Sequence, residues 1–397
     1  MRITAVSLFE TSFQWKNETP TSEDRQIVAL DIYPEFNHHF NMNPSKGSII
    51  KYLFVEVKTD EEIQGFYGPI DVQQAFIIQT LLAPFLQGKD PLAVEALHDQ
   101  MLRLHRHGRS GLFLTGLSAV DLALWDLKGK ALKLPVYILL GGPTRSAVPA
   151  YASMLGASID PARAAAKAEA VKQEGYTAQK WFFRYGPGSG QDGLEKNLAM
   201  AFAVREAVGP HYPIAFDAYN GWTESYAVEM LQKLEPVSPL WVEEVLPPER
   251  VENLSRIRDS SRVPIATGEH VYTRWQVKEL LVQGALDFVQ TDPDWVGGIT
   301  EQVKICALSS SFDIPVIAHG HSLLPALHIA AAQSPAVVPM VEYLVNLQAA
   351  KQVVFKNMLI PEGGLLSLPE QPGLGLEIAE DKIDERRSVT WDIRLQT

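Results

Sequence analysis

The sequence predicts an α/β protein: a (β/α)8-type, TIM-like barrel with an N-terminal α+β capping domain. Three observations predict it. From Val148 onward, short apolar segments alternate with amphipathic helical ones, the pattern of βα units and a parallel sheet. Eight such repeats fit into about 200 residues, compact for a barrel of this kind. Asp217, Glu243 and Glu269 each close an apolar run and follow one another at intervals of 26 residues. That interval is close to one barrel unit (roughly 250 residues over eight units).

The elements follow in order. Ile3 to Phe9 is β-branched and apolar, Ile49 to Lys58 alternates, and the charged turn Thr59 to Glu62 hands over to a returning strand, Ile63 to Tyr67. The polar stretch Asn17 to Ser45 is too long for a turn and is expected to be a binding loop or an ordinary surface loop. His38, His39, Asn41, Asn43 and Lys46 are its candidate hydroxyl- or anion-binding groups. Helical periodicity then runs over Val72 to Leu86, Leu92 to Leu104 and Leu117 to Leu132. Residues 1–140 therefore read as the capping domain and 141–365 as the barrel. Its expected strands are Val148–Tyr151, Ala178–Phe182, Ile214–Asp217, Leu240–Glu243, Ile265–Glu269, Phe288–Asp292, Val316–His319 and Met340–Tyr343. Residues 366–397 are expected to return to the capping domain, with Val389 to Leu395 as an edge strand. Gly186 to Gly190 follows a strand, but its spacing does not match a dinucleotide fingerprint, so it reads as a loop.

Composition narrows the partners. Of 397 residues, 46% are apolar and 21% charged, enough apolar surface to fold rather than stay disordered. With 35 Lys and Arg against 47 Asp and Glu, the net charge is −12. That balance argues against nucleic acid or an anionic membrane and leaves a small-molecule substrate. The single cysteine, Cys306, permits no intramolecular disulfide, and no apolar run reaches 18 residues; a cytoplasmic protein is the expectation. Association into a homo-oligomer is expected only by analogy with other barrels.

The acidic residues carry the chemistry. Equal spacing is expected to set Asp217, Glu243 and Glu269 at one axial height on neighbouring strands, at the C-terminal rim where barrel active sites lie. Clustered carboxylates raise one another's pKa unless a cation neutralises them, and oxygen-only ligands favour Mg2+ or Mn2+ over Zn2+. For any one of them a helix cap or loop charge is an equally good reading; three in register favour the metal site. Glu244 is expected on the opposite strand face from Glu243. Two more strand ends, Asp292 and His319, would bring a carboxylate to an imidazole, fixing its tautomer and raising its basicity. Glu342, closing the eighth strand, faces the same mouth and is expected to be a substrate contact or a proton donor.

These residues resemble the enolase superfamily, in particular the mandelate racemase subgroup. The similarity rests on Asp217-Ala218-Tyr219-Asn220, Trp241-Val242-Glu243-Glu244, Gly268-Glu269-His270, Asp292 through Trp295 to Thr300, and Ala318-His319-Gly320. Ser118 to Lys130 in the capping domain and the run from Leu134 to Gly142 extend it over most of the chain. Within the subgroup, Glu243 to Pro248, Gly268 to His270 and His319 to Ser322 look most like L-rhamnonate dehydratase-type acid sugar dehydratases. The resemblance implies Mg2+ on Asp217, Glu243 and Glu269, and a His319–Asp292 catalytic pair. Many relatives carry Lys-x-Lys at the end of strand two; here Lys180 stands alone, since neither Ala178 nor Phe182 can titrate, which weakens a two-base racemase.

The expected reaction is Mg2+-dependent dehydration of an aldonate. His319 takes the C2 proton, an enediolate forms, the C3 hydroxyl leaves and a 2-keto-3-deoxy acid results. Lys180, Asn220, His270 and Glu342 are candidate substrate contacts, with a structural salt bridge as the other reading of Lys180. The alternatives are a racemase or epimerase of a 2-hydroxy or sugar acid, a cycloisomerase, and a non-catalytic barrel kept for ligand binding.

Overall fold

The computed structural model describes residues 1–16, 24–33 and 46–390. His38, His39, Asn41 and Asn43 lie outside them, as do residues 391–397. The capping domain holds an antiparallel sheet ordered β12-β1-β2-β3, with β1 Ile3–Gln14, β2 Ile49–Thr59, β3 Gln64–Ile70 and β12 Glu385–Val389. β12 pairs with β1 from Leu8↔Val389 to Ser12↔Glu385, so the edge strand begins before the expected Val389. Both faces of this sheet are covered. Leu8, Val55 and Val57 join the main core, whereas Phe9, Phe13 and Phe54 form a second cluster with Val354, Phe355 and Ile378. Successive residues point to opposite faces, so the neighbours Leu8 and Phe9 on β1, and Phe54 and Val55 on β2, enter different clusters.

The segment 72–86 is not one uniform helix. It runs Val72–Ile77, a π-helical Ile78–Leu82, then Ala83–Leu86. Pro84 has no N–H to give to the Thr80 carbonyl, and the regular i→i−4 ladder cannot pass it. The helix Gly111–Leu132 lies between the cap sheet and the helix Gly298–Ser310 and is apolar around most of its circumference. Gly65 of β3 lets its backbone approach closely, since a Cβ there would lie 2.4 Å from the Ala123 carbonyl oxygen.

The barrel strands are β4 Ala147–Ser153, β5 Gln179–Phe182, β6 Ile214–Asp217, β7 Val242–Glu243, β8 Ile265–Thr267, β9 Phe288–Val289 and β10 Val341–Leu344. They are parallel in the order β10-β4-β5-β6-β7-β8-β9. β11, Leu365–Ser367, pairs antiparallel with the first residues of β4, Ala147 to Pro149. The expected strand Val316–His319 is reduced to a single bridge, Val289↔Val316. Strand ends are short because the chain turns into the site early. Gly268 adopts φ +140° just before Glu269.

Asp217 and Glu243 are direct register partners, but Glu243 faces Ala266 on β8. Glu269 therefore reaches the cluster from the turn beyond β8 rather than from the same strand height. Equal sequence spacing located the residue, not its level. Among the described residues, no helix is long and apolar enough to cross a membrane.

Candidate active site

Asp217, Glu243 and Glu269 are all buried, and one ligand atom from each lies within 4.8 Å of the others. Asp217 and Glu243 close β6 and β7; Asp217 also fixes the following turn by accepting the Tyr219 N–H at 2.8 Å. Burial raises all three: Asp217 above its ordinary value, Glu243 to about 7, Glu269 well above. For Glu269 the neighbouring carboxylates add to burial, while His319 opposes it. Buried, mutually repelling oxygens of this kind fit a hard divalent cation.

Lys180 enters this cluster from β5 and is 1% exposed. Its ammonium donates to both oxygens of Glu243 at 2.9 Å and lies 3.1 Å from Asp217 and 2.9 Å from Glu342. Burial alone lowers a lysine, but Glu243 and Glu342 outweigh it and hold Lys180 well above its ordinary value. A lysine gripped this way keeps its proton. Glu342 bridges onward, its Oε2 accepting the Gly320 N–H at 2.8 Å, one residue beyond His319.

His319 and Asp292 meet as the sequence suggested, although both lie in the chain beyond the strands: β9 ends at Val289 and the next segment keeps only the Val316 bridge. His319 Nδ1 is 3.0 Å from Asp292 Oδ2, and Nε2 lies 3.5 Å from Glu269 Oε2. Ser322 donates its hydroxyl to Asp292 Oδ1 at 2.6 Å, so both oxygens are held. Burial pushes His319 down, but Glu269 and the Asp292 hydrogen bond prevail and raise it to about 9. Burial raises Asp292, yet the same imidazole brings it below the ordinary carboxylate range.

The expectation for Glu244 is corrected. Strand alternation does not apply, because β7 stops at Glu243 and Glu244 takes φ +48°. The left-handed turn brings Glu244 beside Glu269 and His270. Burial, then Asp217 and Glu243, raises it well above its usual value. His270 is 43% exposed at the side chain, with Nε2 at 3.3 Å from Glu269 and 3.8 Å from Glu244. Asn220, at φ +55°, accompanies Glu244.

Several residues gave no usable sequence signal. Gln290 donates to Glu243 Oε2 at 2.8 Å. Trp295 stacks on His270 and His319, at ring separations of 5.8 and 4.9 Å, and meets His321 at a tilt, at 5.0 Å. His321 sits between Asp294 (3.2 Å) and the Lys351 ammonium (2.7 Å). Lys351 is distant in sequence, and no spacing rule links it to His321. Both also line a cavity of about 700 Å³ between the capping domain and the barrel loops. For Trp295, its position three residues after Asp292 was the one available hint.

The loop after Asp292 is bound to the capping domain. Gln74 donates to Asp294 at 3.2 Å, the Gly297 N–H to Ser118 at 2.9 Å, the Thr300 N–H to Asp121 at 3.1 Å, and Trp125 to the Thr300 hydroxyl at 2.9 Å.

Comparisons with known proteins agree with this architecture. The profile "Enolase C-terminal domain-like" matches residues 163–382. The profile of the mandelate racemase / muconate lactonizing enzyme N-terminal domain matches residues 35–141. An L-rhamnonate dehydratase of Saccharopolyspora erythraea is 32% identical over 384 residues, 93% of either chain. An arabinonate dehydratase of Saccharolobus solfataricus is 34% identical, covering 85% of this chain and 90% of its own. The crystal structure of rhamnonate dehydratase from Gibberella zeae complexed with Mg superposes with a TM-score of 0.80, at 27% identity and 96% coverage of each chain. The chain belongs to the mandelate racemase / muconate lactonizing enzyme family of the enolase superfamily.

Proposed function

We propose that this chain is a Mg2+-dependent acid sugar dehydratase, a hydro-lyase that converts an aldonate with C2 and C3 hydroxyls to a 2-keto-3-deoxy acid. The observation that carries the reading is the His319 imidazole, held at Nδ1 by Asp292 and aimed through Nε2 at the carboxylate cluster. Relatives named as L-rhamnonate and arabinonate dehydratases support the substrate class.

Asp217, Glu243 and Glu269 would hold Mg2+, which when bound supplies Lewis-acid stabilisation of negative charge on a substrate carboxylate. The remaining chemistry falls to the chain's own groups. With its proton on Nδ1 facing Asp292, His319 presents the Nε2 lone pair and accepts the proton from C2. Asp292 then stabilises the imidazolium. The same Nε2–H would return its proton to the departing C3 hydroxyl, which leaves as water while the C2–C3 double bond forms. The enol product tautomerises to the keto acid. Lys180 and Glu342 face this position as a charged pair, and Lys180 contributes positive charge rather than a lone pair. Its three carboxylate partners disfavour a second base on that face, and with it the racemase alternative.

The test is a screen of aldonates in deuterated buffer with the Mg2+-loaded protein, following semicarbazide-reactive product and C2 exchange. A keto acid product is expected. Exchange at C2 without any keto acid would replace this reading with the racemase or epimerase one.

A further inference from the structure

Glu244 is 0% exposed, and neither of its carboxylate oxygens accepts a well-formed hydrogen bond. The Asn220 amide lies alongside and only lessens the burial penalty. A buried carboxylate in this condition either keeps its proton or needs a cation to pair with it. Glu269 and His270 stand beside it, and one donor atom from each of the three lies within 4.8 Å of the others. The Nε2 separations of 3.3 Å to Glu269 and 3.8 Å to Glu244 match donors sharing an ion, which sit roughly 3 to 4 Å apart at bonds of about 2.1 Å. Trp295 lies almost parallel to the His270 ring, at 8°, and fixes its plane.

Charge points the same way. Asp217, Glu243, Glu244, Glu269 and Glu342 are buried around one buried ammonium, that of Lys180. With all five ionised, a single dication would still leave two negative charges there, before an anionic substrate adds another.

We propose that Glu244, Glu269 and His270 form a second cation site, sharing Glu269 with the Asp217–Glu243–Glu269 site and taking a divalent transition ion such as Mn2+. Two carboxylates and one imidazole make a mixed oxygen and nitrogen donor set, which suits such an ion better than Mg2+. The inference depends on the metal reading above only through the shared carboxylate of Glu269.

The experiment is Mn2+ binding to the full chain, counted by equilibrium dialysis and followed by electron paramagnetic resonance. Wild type is expected to bind two Mn2+ per chain, with a spectrum broadened by coupling across Glu269. H270A and E244Q should each bind one and give an uncoupled six-line signal, while D217N should keep the His270 site. Saturation of wild type at one Mn2+, or two equivalents retained in both H270A and E244Q, overturns the second site and leaves the first standing. Failure of wild type to bind any Mn2+ overturns both.

Discussion

Lys180 donates to both carboxylate oxygens of Glu243 at 2.9 Å, so one of the proposed metal ligands is already paired with a buried cation. The ammonium and a metal ion thus share the task of neutralising the same acids. K180M is expected to destabilise the metal-free protein by about 3–5 kcal/mol, because buried carboxylates lose their partner. Saturating Mg2+ should recover most of that loss. Denaturant unfolding of wild type and K180M, with EDTA and with Mg2+, measures it; an equal deficit in both conditions would contradict the shared role.

His319 acts as base only when deprotonated, and Asp292 and Glu269 together raise it to about 9. Activity should therefore rise with pH as His319 loses its proton, and cation binding to Glu269 should bring the inflection below that value. H319N should lose at least about 10²-fold in kcat, together with C2 exchange. In D292N one cause of the raised pKa is gone, so the acid limb of the kcat/KM profile should move to lower pH while its plateau falls. An unmoved limb would separate Asp292 from the imidazole.

Two other histidines are buried as neutral rings at the domain junction. His328 accepts the Tyr137 N–H at Nδ1 and donates from Nε2 to the Leu374 carbonyl; His98 bonds the Gly297 carbonyl at 3.0 Å. Burial lowers them to about 4 and about 3. Folded values below the unfolded one mean that their stabilisation is complete above about pH 6.5 and erodes as pH falls toward the folded values, by about 1.4 kcal/mol per unit for each ring. Thermal midpoints should drop between pH 7 and pH 5, and H328Q should show a shallower dependence.

Gly298 opens the helix behind the Asp292 loop at φ +81°, where a Cβ would lie 2.1 Å from Asp121 Oδ2. G298A combines backbone strain with displacement of that carboxylate from the Thr300 N–H. It should lose about 2–4 kcal/mol of stability by chemical denaturation. An unchanged midpoint would mean that the junction can relax around an added methyl group.

The barrel was legible in the sequence because each strand end carries chemistry at a regular interval. Asp217, Glu243 and Glu269 were found by that interval and Asp292 and His319 as the residues closing two further apolar runs, and the structure brings all five together. What escaped the sequence depends on single backbone torsions and distant pairings. The φ of +48° at Glu244 reversed an alternation argument that holds only inside a strand. The turn at Gly268 moved Glu269 off the level that its spacing implied. Lys180 was visible as a lone lysine, but its three carboxylate partners come from separate strands and depend on barrel register. The pairing of Lys351 with His321 has no local pattern at all.

The four hydrogen bonds that tie residues 294–300 to Gln74, Ser118, Asp121 and Trp125 have an evolutionary consequence. The segment that aims the imidazole's carboxylate partner is moored to two helices of the other domain, Val72–Ile77 and Gly111–Leu132. A cap exchanged wholesale with a relative's is therefore expected to disturb proton transfer unless these contacts are kept. The two modules are inherited as one mechanical part.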